Sequence, residues 1–258
     1  MSIIIKKKLP KNYQQEIKVI SWNMDIKNIN TRKKINEILE KNADIIMLQE
    51  CPQNIKKYFI DYISYSTSKS YNGSINLFIH KRIEPILCNI FKDNGLLVYH
   101  LNTKYGHLIV ASIHLPPFNN INDKILRTIS IYKVMNFLKK ENLIKLPIII
   151  GGNTNMQEDE HISNLSENIL QDLYDNFGNN YYTCSTKNIN DCHKQRCNRF
   201  FYSNLNVKNF FTRASLYSDF HLIETNIFFG KNSFDSINEK FEELIFDKFK
   251  FSSPVLEL

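Results

Sequence analysis

Buried apolar runs in this chain repeatedly end on a polar residue: Asn23, Glu50, His114, Asn153 with Asn155, Asn198 and Asp219. Gly152-Asn153-Thr154-Asn155, for instance, directly follows Leu146-Pro147-Ile148-Ile149-Ile150-Gly151. Short apolar runs of this kind read as buried strands, so the polar residues are carried to strand ends. A carboxylate, an imidazole and several carboxamides gathered there suit work on an anion. Each residue also has an ordinary reading. Glu50 alone reads as a strand-end surface carboxylate and His114 as a core histidine. Asn155 and Asp219 read as turn residues.

Positioning these side chains takes strands of two patterns and several helices. Residues 17–25 read as a first strand, and 43–50 as a second that delivers Gln49-Glu50. Thr31 can cap a helix to about Lys41, with Ile35, Ile38 and Leu39 on one face. Tyr71-Asn72-Gly73-Ser74 is a hairpin signal. Strands are expected near 75–80, 96–101, 107–115, 148–150, 199–203 and 222–229. A long helix over 122–141 is expected to bury Ile125, Ile129, Val134, Phe137 and Leu138, and a further helix lies near 163–177. Buried runs mixed with alternating ones, and helices between them, predict an α/β chain. Its expected architecture is a four-layer sandwich of two mixed sheets flanked by helices.

The chain has 258 residues, 43% hydrophobic, enough for one full core. We divide it into a basic tail over 1–16, a single domain over 17–230 and an extension over 231–258. The net charge of +7 favours nucleic acid or another polyanion as partner. Nothing in the sequence predicts a membrane span or a signal peptide. The five cysteines are an odd count, which reads as free thiols in a reducing, intracellular compartment. Cys184, Cys192, His193 and Cys197 crowd together but match no standard zinc-ligand spacing. The aromatics Phe200, Phe201, Tyr202, Phe210 and Phe211 read as core. Abundant Lys, Asn, Ile, Phe and Tyr suggest the coding bias of an AT-rich genome, such as that of a large DNA virus or a parasite.

The order of strand-end residues resembles the endonuclease/exonuclease/phosphatase superfamily, whose fold is DNase I-like. Ser21-Trp22-Asn23 resembles its first motif, Asp44 to Glu50 its D-x-x-x-L-Q-E motif, and Ile113-His114-Leu115 its third. Gly152 to Asn155 resembles Gly-Asp-x-Asn. Asn198-Arg199-Phe200-Phe201-Tyr202 resembles Asp-Arg-Ile-Phe-Tyr, and Ser218-Asp219-Phe220 resembles Ser-Asp-His. Trp22-Asn23-Met24-Asp25 and Tyr182-Thr183 look most like the 5′-tyrosyl-DNA phosphodiesterase branch. The resemblance implies that Glu50 holds magnesium, with Asn23 positioning it or the phosphate. Asn155 would donate to a non-bridging oxygen as charge develops. His114 and Asp219 are retained members of the set.

Other positions depart from that pattern. Asn153 stands where an acid/base aspartate belongs, Phe220 where the phosphorane-stabilising histidine belongs, and Asn198 where that histidine's carboxylate belongs. The losses are coherent, because a buried carboxylate without its partner is costly. His221 could replace the missing histidine only through a one-residue bulge. The leading expectation is therefore a catalytically degraded member that binds nucleic acid or a protein. The alternatives are an active magnesium-dependent phosphodiesterase with a rearranged site, and a structural subunit. Phe234, Ile237, Phe241, Leu244, Ile245 and Phe249 form an apolar stripe on an expected C-terminal helix, which packs on the body or docks a second chain.

Overall fold

The computed structural model describes residues 16–25, 30–52, 54–117, 120–157, 160–177, 183, 196–215 and 217–229. The expected basic tail, the C-terminal helix with its partner surface, and Cys184, Cys192 and His193 lie outside these residues.

The chain opens with a β-α-β unit: β1 (Glu16–Asn23), α1 (Thr31–Glu40) and β2 (Ile45–Cys51), the two strands parallel. β3 (Tyr62–Ile63), β4 (Thr67–Lys69) and β5 (Ser74–His80) follow, with β4 and β5 joined through the Asn72-Gly73 turn. Gly73 takes φ +84°, and its carbonyl accepts from Ser70 N at 3.2 Å. Next come β6 (Ile86–Asp93), β7 (Leu96–Thr103) and β8 (Gly106–His114). A second β-α-β unit runs from β8 through α2 (Ile121–Lys140) to β9 (Ile148–Asn153), again with parallel strands. The remainder is α3 (Ile162–Leu165), β10 (Gln171–Asp172), α4 (Leu173–Phe177), β11 (Asn198–Ser203), β12 (Asn206–Arg213) and β13 (Leu222–Phe228).

The strands form two mixed sheets. One has the order β12-β13-β1-β2-β5-β3, with β4 also on β5. The other has the order β10-β11-β9-β8-β7-β6. Strand alternation divides the core into layers. Val19, Met47, Leu77, Tyr99, Val110, Ile149 and Phe200 meet between the sheets. Their neighbours Ile20, Ile46 and Leu48 turn outward onto Ile35 and Ile38 of α1. On the other side Val98, Ile109, Ile113 and Ile150 pack on Val134 and Leu138 of α2. Helix, sheet, sheet and helix give the expected four-layer sandwich. β2 and β9 are buried along their whole lengths, as strands covered on both faces must be.

Two glycines make the close packing under the site. A Cβ at Gly152 would lie 1.9 Å from the Ile113 carbonyl oxygen, and one at Gly151 would lie 2.5 Å from the Phe200 ring and 2.6 Å from Met47 Sδ. Glycine at both places lets β9 nest against β8 and against the opposite sheet.

Some expectations need correction. α2 is rotated from the expected face: Ile131, Val134, Met135 and Leu138 are buried, while Ile125 and Ile129 are exposed. Arg127 accounts for this. It is fully buried, donating to Pro116 O at 2.9 Å and clasping Glu160 at 2.9 and 2.7 Å. That fixes the phase of a helix that is apolar on several sides. The single helix expected near 163–177 is broken by Glu167 and Asn168, both with left-handed φ, into α3, β10 and α4. Asn30, and not Thr31, is the N-cap of α1. Phe211 is exposed, whereas Phe200, Phe201 and Phe210 are core. β6 and β12, edge strands with mixed burial, were not expected at all.

Candidate active site

The strand-end residues converge at one end of the sandwich. Asn23 closes β1, and its Nδ2 donates to Glu50 Oε1 at 2.9 Å. Glu50 lies in an irregular stretch of β2, where the pairing with β5 shifts between Leu48 and Cys51. Its φ of +51° is left-handed, a conformation costing a non-glycine residue about 1–2 kcal/mol. A bulge of this kind re-aims a side chain, here turning a buried carboxylate toward the second sheet.

His114, the last residue of β8, receives it. His114 Nε2 lies 3.5 Å from Glu50 Oε1, so this pair bridges the two sheets. The other ring nitrogen, Nδ1, is hydrogen-bonded with Ser70 Oγ, and the Tyr71 ring stands edge-on at 5.9 Å. Burial pushes the imidazole down to about 4. At neutral pH His114 is therefore uncharged, and its approach to Glu50 is a polar contact and not an ion pair.

Asn153 and Asn198 continue the row. His114 pairs in register with Asn153, and Asn153 with Asn198, across β8, β9 and β11. Asn198 Nδ2 donates to the His221 carbonyl at 2.8 Å, and its backbone N–H donates to Thr183 Oγ1 at 2.8 Å. Asn153 Oδ1 and Asn198 Oδ1 are buried and have no hydrogen-bond partner among the described residues. Asn155 takes left-handed φ, +49°, and its Nδ2 donates to Leu115 O at 2.8 Å. Arg199 holds the same loop, donating to Met156 O at 3.0 Å and Gln157 O at 3.1 Å from its buried guanidinium.

The segment before β13 approaches from the first sheet. Ser218 Oγ donates to Asn23 O at 3.1 Å, and Trp22 Nε1 donates to Phe220 O at 2.8 Å. The half-buried Phe220 packs against the core cluster beneath α1. His221 donates its backbone N–H to Thr183 O at 2.8 Å. The β1–β13 pairing runs unshifted from Glu16↔Phe228 to Ser21↔Ile223, and His221 lies just before it.

Lys34 is the site residue that the sequence reading missed. It lies on α1, is 1% exposed, and donates from Nζ to the carbonyls of Met24 and Asp25, the latter at 2.9 Å. Burial lowers its pKa, while Asp25, Glu50 and Asp219 work to raise it. A positive group thus stands behind Glu50 and Asp219. Its position one residue from Ile35, on the buried side of α1, was the only available signal.

The donor set fits a hard cation. Glu50 offers a carboxylate already oriented by Asn23, and Asn153 Oδ1 is a buried acceptor with no donor. Neither Asn153 nor Asn198 can take up a proton. Of the cysteine-rich group, Cys197 is buried, and its carbonyl accepts from Thr154 Oγ1 at 3.0 Å.

No protein-family profile and no curated protein matches this sequence. Solved structures do. A humanized D. rerio TDP2 superposes with a TM-score of 0.67 at 16% identity, covering 82% of this chain and 98% of that one. The human Nocturnin catalytic domain with bound sulfate anion gives 0.66 at 20% identity, covering 83% and 94%. An endonuclease/exonuclease/phosphatase family protein from Bacteroides thetaiotaomicron gives 0.65 at 15%, covering 85% and 100%. The fold is that of the endonuclease/exonuclease/phosphatase proteins. Among the described residues no helix is long and apolar enough to cross a membrane.

Proposed function

We propose that this chain is a catalytically degraded phosphodiesterase that keeps a phosphate-facing groove and binds nucleic acid there. The observation that carries this reading is the row of uncharged amides, Asn153 beside Asn198, together with a half-buried Phe220 packed against the core. An amide has no useful basicity, and a phenyl ring cannot donate a proton. Losing one acid/base group costs about 10²–10⁴ in rate. Losses within one unit are not additive, so the total is not their product.

The groups that would meet a phosphate are present. Glu50, oriented by Asn23, would hold magnesium, which when bound supplies positive charge against the phosphate. Asn155 commits one amide hydrogen to Leu115 O, which leaves the other for a phosphate oxygen. The +7 net charge favours a polyanion. Two structural neighbours add support: a D. rerio TDP2 was solved with a single-strand DNA product, and Nocturnin with a sulfate anion.

The test is incubation of the full chain with magnesium and a 5′-phosphotyrosyl oligonucleotide, with binding of the same oligonucleotide measured in parallel. Binding without turnover is expected. Magnesium-dependent cleavage at ordinary enzyme rates, abolished by Glu50→Ala, would overturn the proposal in favour of an active phosphodiesterase.

A further inference from the structure

We propose that Cys88, His100 and His107 form a zinc-binding site on the outer face of the second sheet, remote from the phosphate-facing end of the sandwich. One ligand atom from each of the three lies within 4.8 Å of the others. They come from three consecutive strands, β6, β7 and β8, and meet only because those strands pair.

The face follows from alternation. His100 shares its side of β7 with Leu96 and Val98, and His107 shares its side of β8 with Ile109 and Ala111; all four of these pack toward α2. Cys88 reaches the same place through a bulge. The β6–β7 pairing passes from Leu87↔Leu101 to Asn89↔His100, so Cys88 is the extra residue opposite His100. Asn89 anchors the bulge by donating to Glu141 Oε2 at 3.0 Å, at the end of α2. His107 stands seven residues before His114 on β8, which puts this cluster about 23 Å from the candidate active site at the usual rise of about 3.3 Å per residue.

The chemistry selects the cation. A thiol and two imidazoles are zinc ligands, whereas magnesium takes oxygen. His100 Nε2 and His107 Nδ1 face each other at 3.0 Å. Tetrahedral zinc with Zn–N bonds of about 2.05 Å needs its two nitrogens about 3.3 Å apart. The rings therefore have to part by only a few tenths of an ångström. Burial pushes His100 down to about 4, with His107 adding to the fall, and burial lowers His107 too. His100 is buried, His107 half-buried and Cys88 exposed, so the cluster opens on one side. Three protein ligands with an open fourth position make a site that zinc completes with water.

The experiment uses the full chain, stripped of metal by a chelator and titrated with Co²⁺ and then Zn²⁺. We expect one equivalent of Co²⁺ to produce a thiolate-to-cobalt charge-transfer band that Zn²⁺ erases and Mg²⁺ does not. Cys88→Ser changes an exposed side chain. It should abolish the band and weaken Zn²⁺ by at least about 100-fold, the upper end of what even an outer-shell change costs. His107→Gln should weaken zinc comparably. Cys184→Ser/Cys192→Ser should leave the band intact. A wild-type chain that is folded by circular dichroism yet shows no band would overturn the proposal. So would a band that survives Cys88→Ser.

Discussion

Asn198 donates from Nδ2 to the backbone carbonyl of His221 across 2.8 Å. An aspartate at 198 could not make this bond, because it would set a carboxylate oxygen against a carbonyl oxygen. Asn198→Asp alone should therefore destabilise the fold by about 1–3 kcal/mol, the cost of leaving a buried polar group unsatisfied. Urea denaturation of the two proteins would show it. An unchanged midpoint would mean that the amide is not committed to this contact.

Restoration tests the proposed loss of chemistry. The triple change Asn153→Asp, Asn198→Asp and Phe220→His should recover measurable magnesium-dependent cleavage, because it returns the acid/base groups that the family resemblance implies at these positions. Each single change should recover little, since the groups act as a unit. A folded triple variant with no gain over wild type would show that the site has diverged beyond these positions.

Acidification should weaken the fold over a defined window. His114 and His100 are each held down to about 4 from an ordinary 6.5. Below pH 6.5 the unfolded chain takes up protons that the folded chain refuses, so stability is full above about 6.5 and is lost progressively as pH falls toward 4. Each histidine contributes up to about 1.4 kcal/mol per pH unit there. His114→Gln should flatten the dependence of thermal midpoint on pH between 6.5 and 4. An identical slope in that variant would contradict the assignment.

Lys34 should matter more than a helix lysine normally does. Lys34→Met removes the donor to the Met24 and Asp25 carbonyls and the positive charge facing Glu50 and Asp219. A loss of about 1–3 kcal/mol is expected from the orphaned carbonyls alone. Lys33→Met, on the exposed side of α1, supplies the control and should change stability by no more than about 0.5 kcal/mol.

Nucleic-acid binding should be electrostatic at its base. Affinity for single-stranded DNA should fall log-linearly with salt, with a slope near −0.7 for each phosphate neutralised. Salt-independent binding, measured by fluorescence anisotropy, would point to a protein-type interface instead.

The residues that sequence reading found share one property. Asn23, Glu50, His114 and Asn153 each end a run buried on both faces, and such runs are visible in one dimension. What escaped is set by contacts between distant segments. Lys34 is indistinguishable from its solvated neighbour Lys33 until the turn at Met24 and Asp25 closes over it. Cys88, His100 and His107 have no ligand spacing, because strand pairing and a bulge bring them together. The face of α2 was misread because Arg127, a residue that ordinarily faces water, is the one that Glu160 draws inside. β6 and β12 hide because edge strands are only half apolar.

Gly151 carries a mechanical consequence. It sits two residues before Asn153, with Met47 of the opposite sheet and Phe200 of β11 already occupying the space that a side chain would take. The thickness of the sandwich just below the His114–Glu50 contact is thus gauged by an absent methyl group. Gly151→Ala would force the Phe200 ring and Met47 Sδ aside, inside the sandwich that carries Glu50 and His114 to their meeting at 3.5 Å. Space that no side chain occupies is thus a structural element here, as much as the residues packed around it.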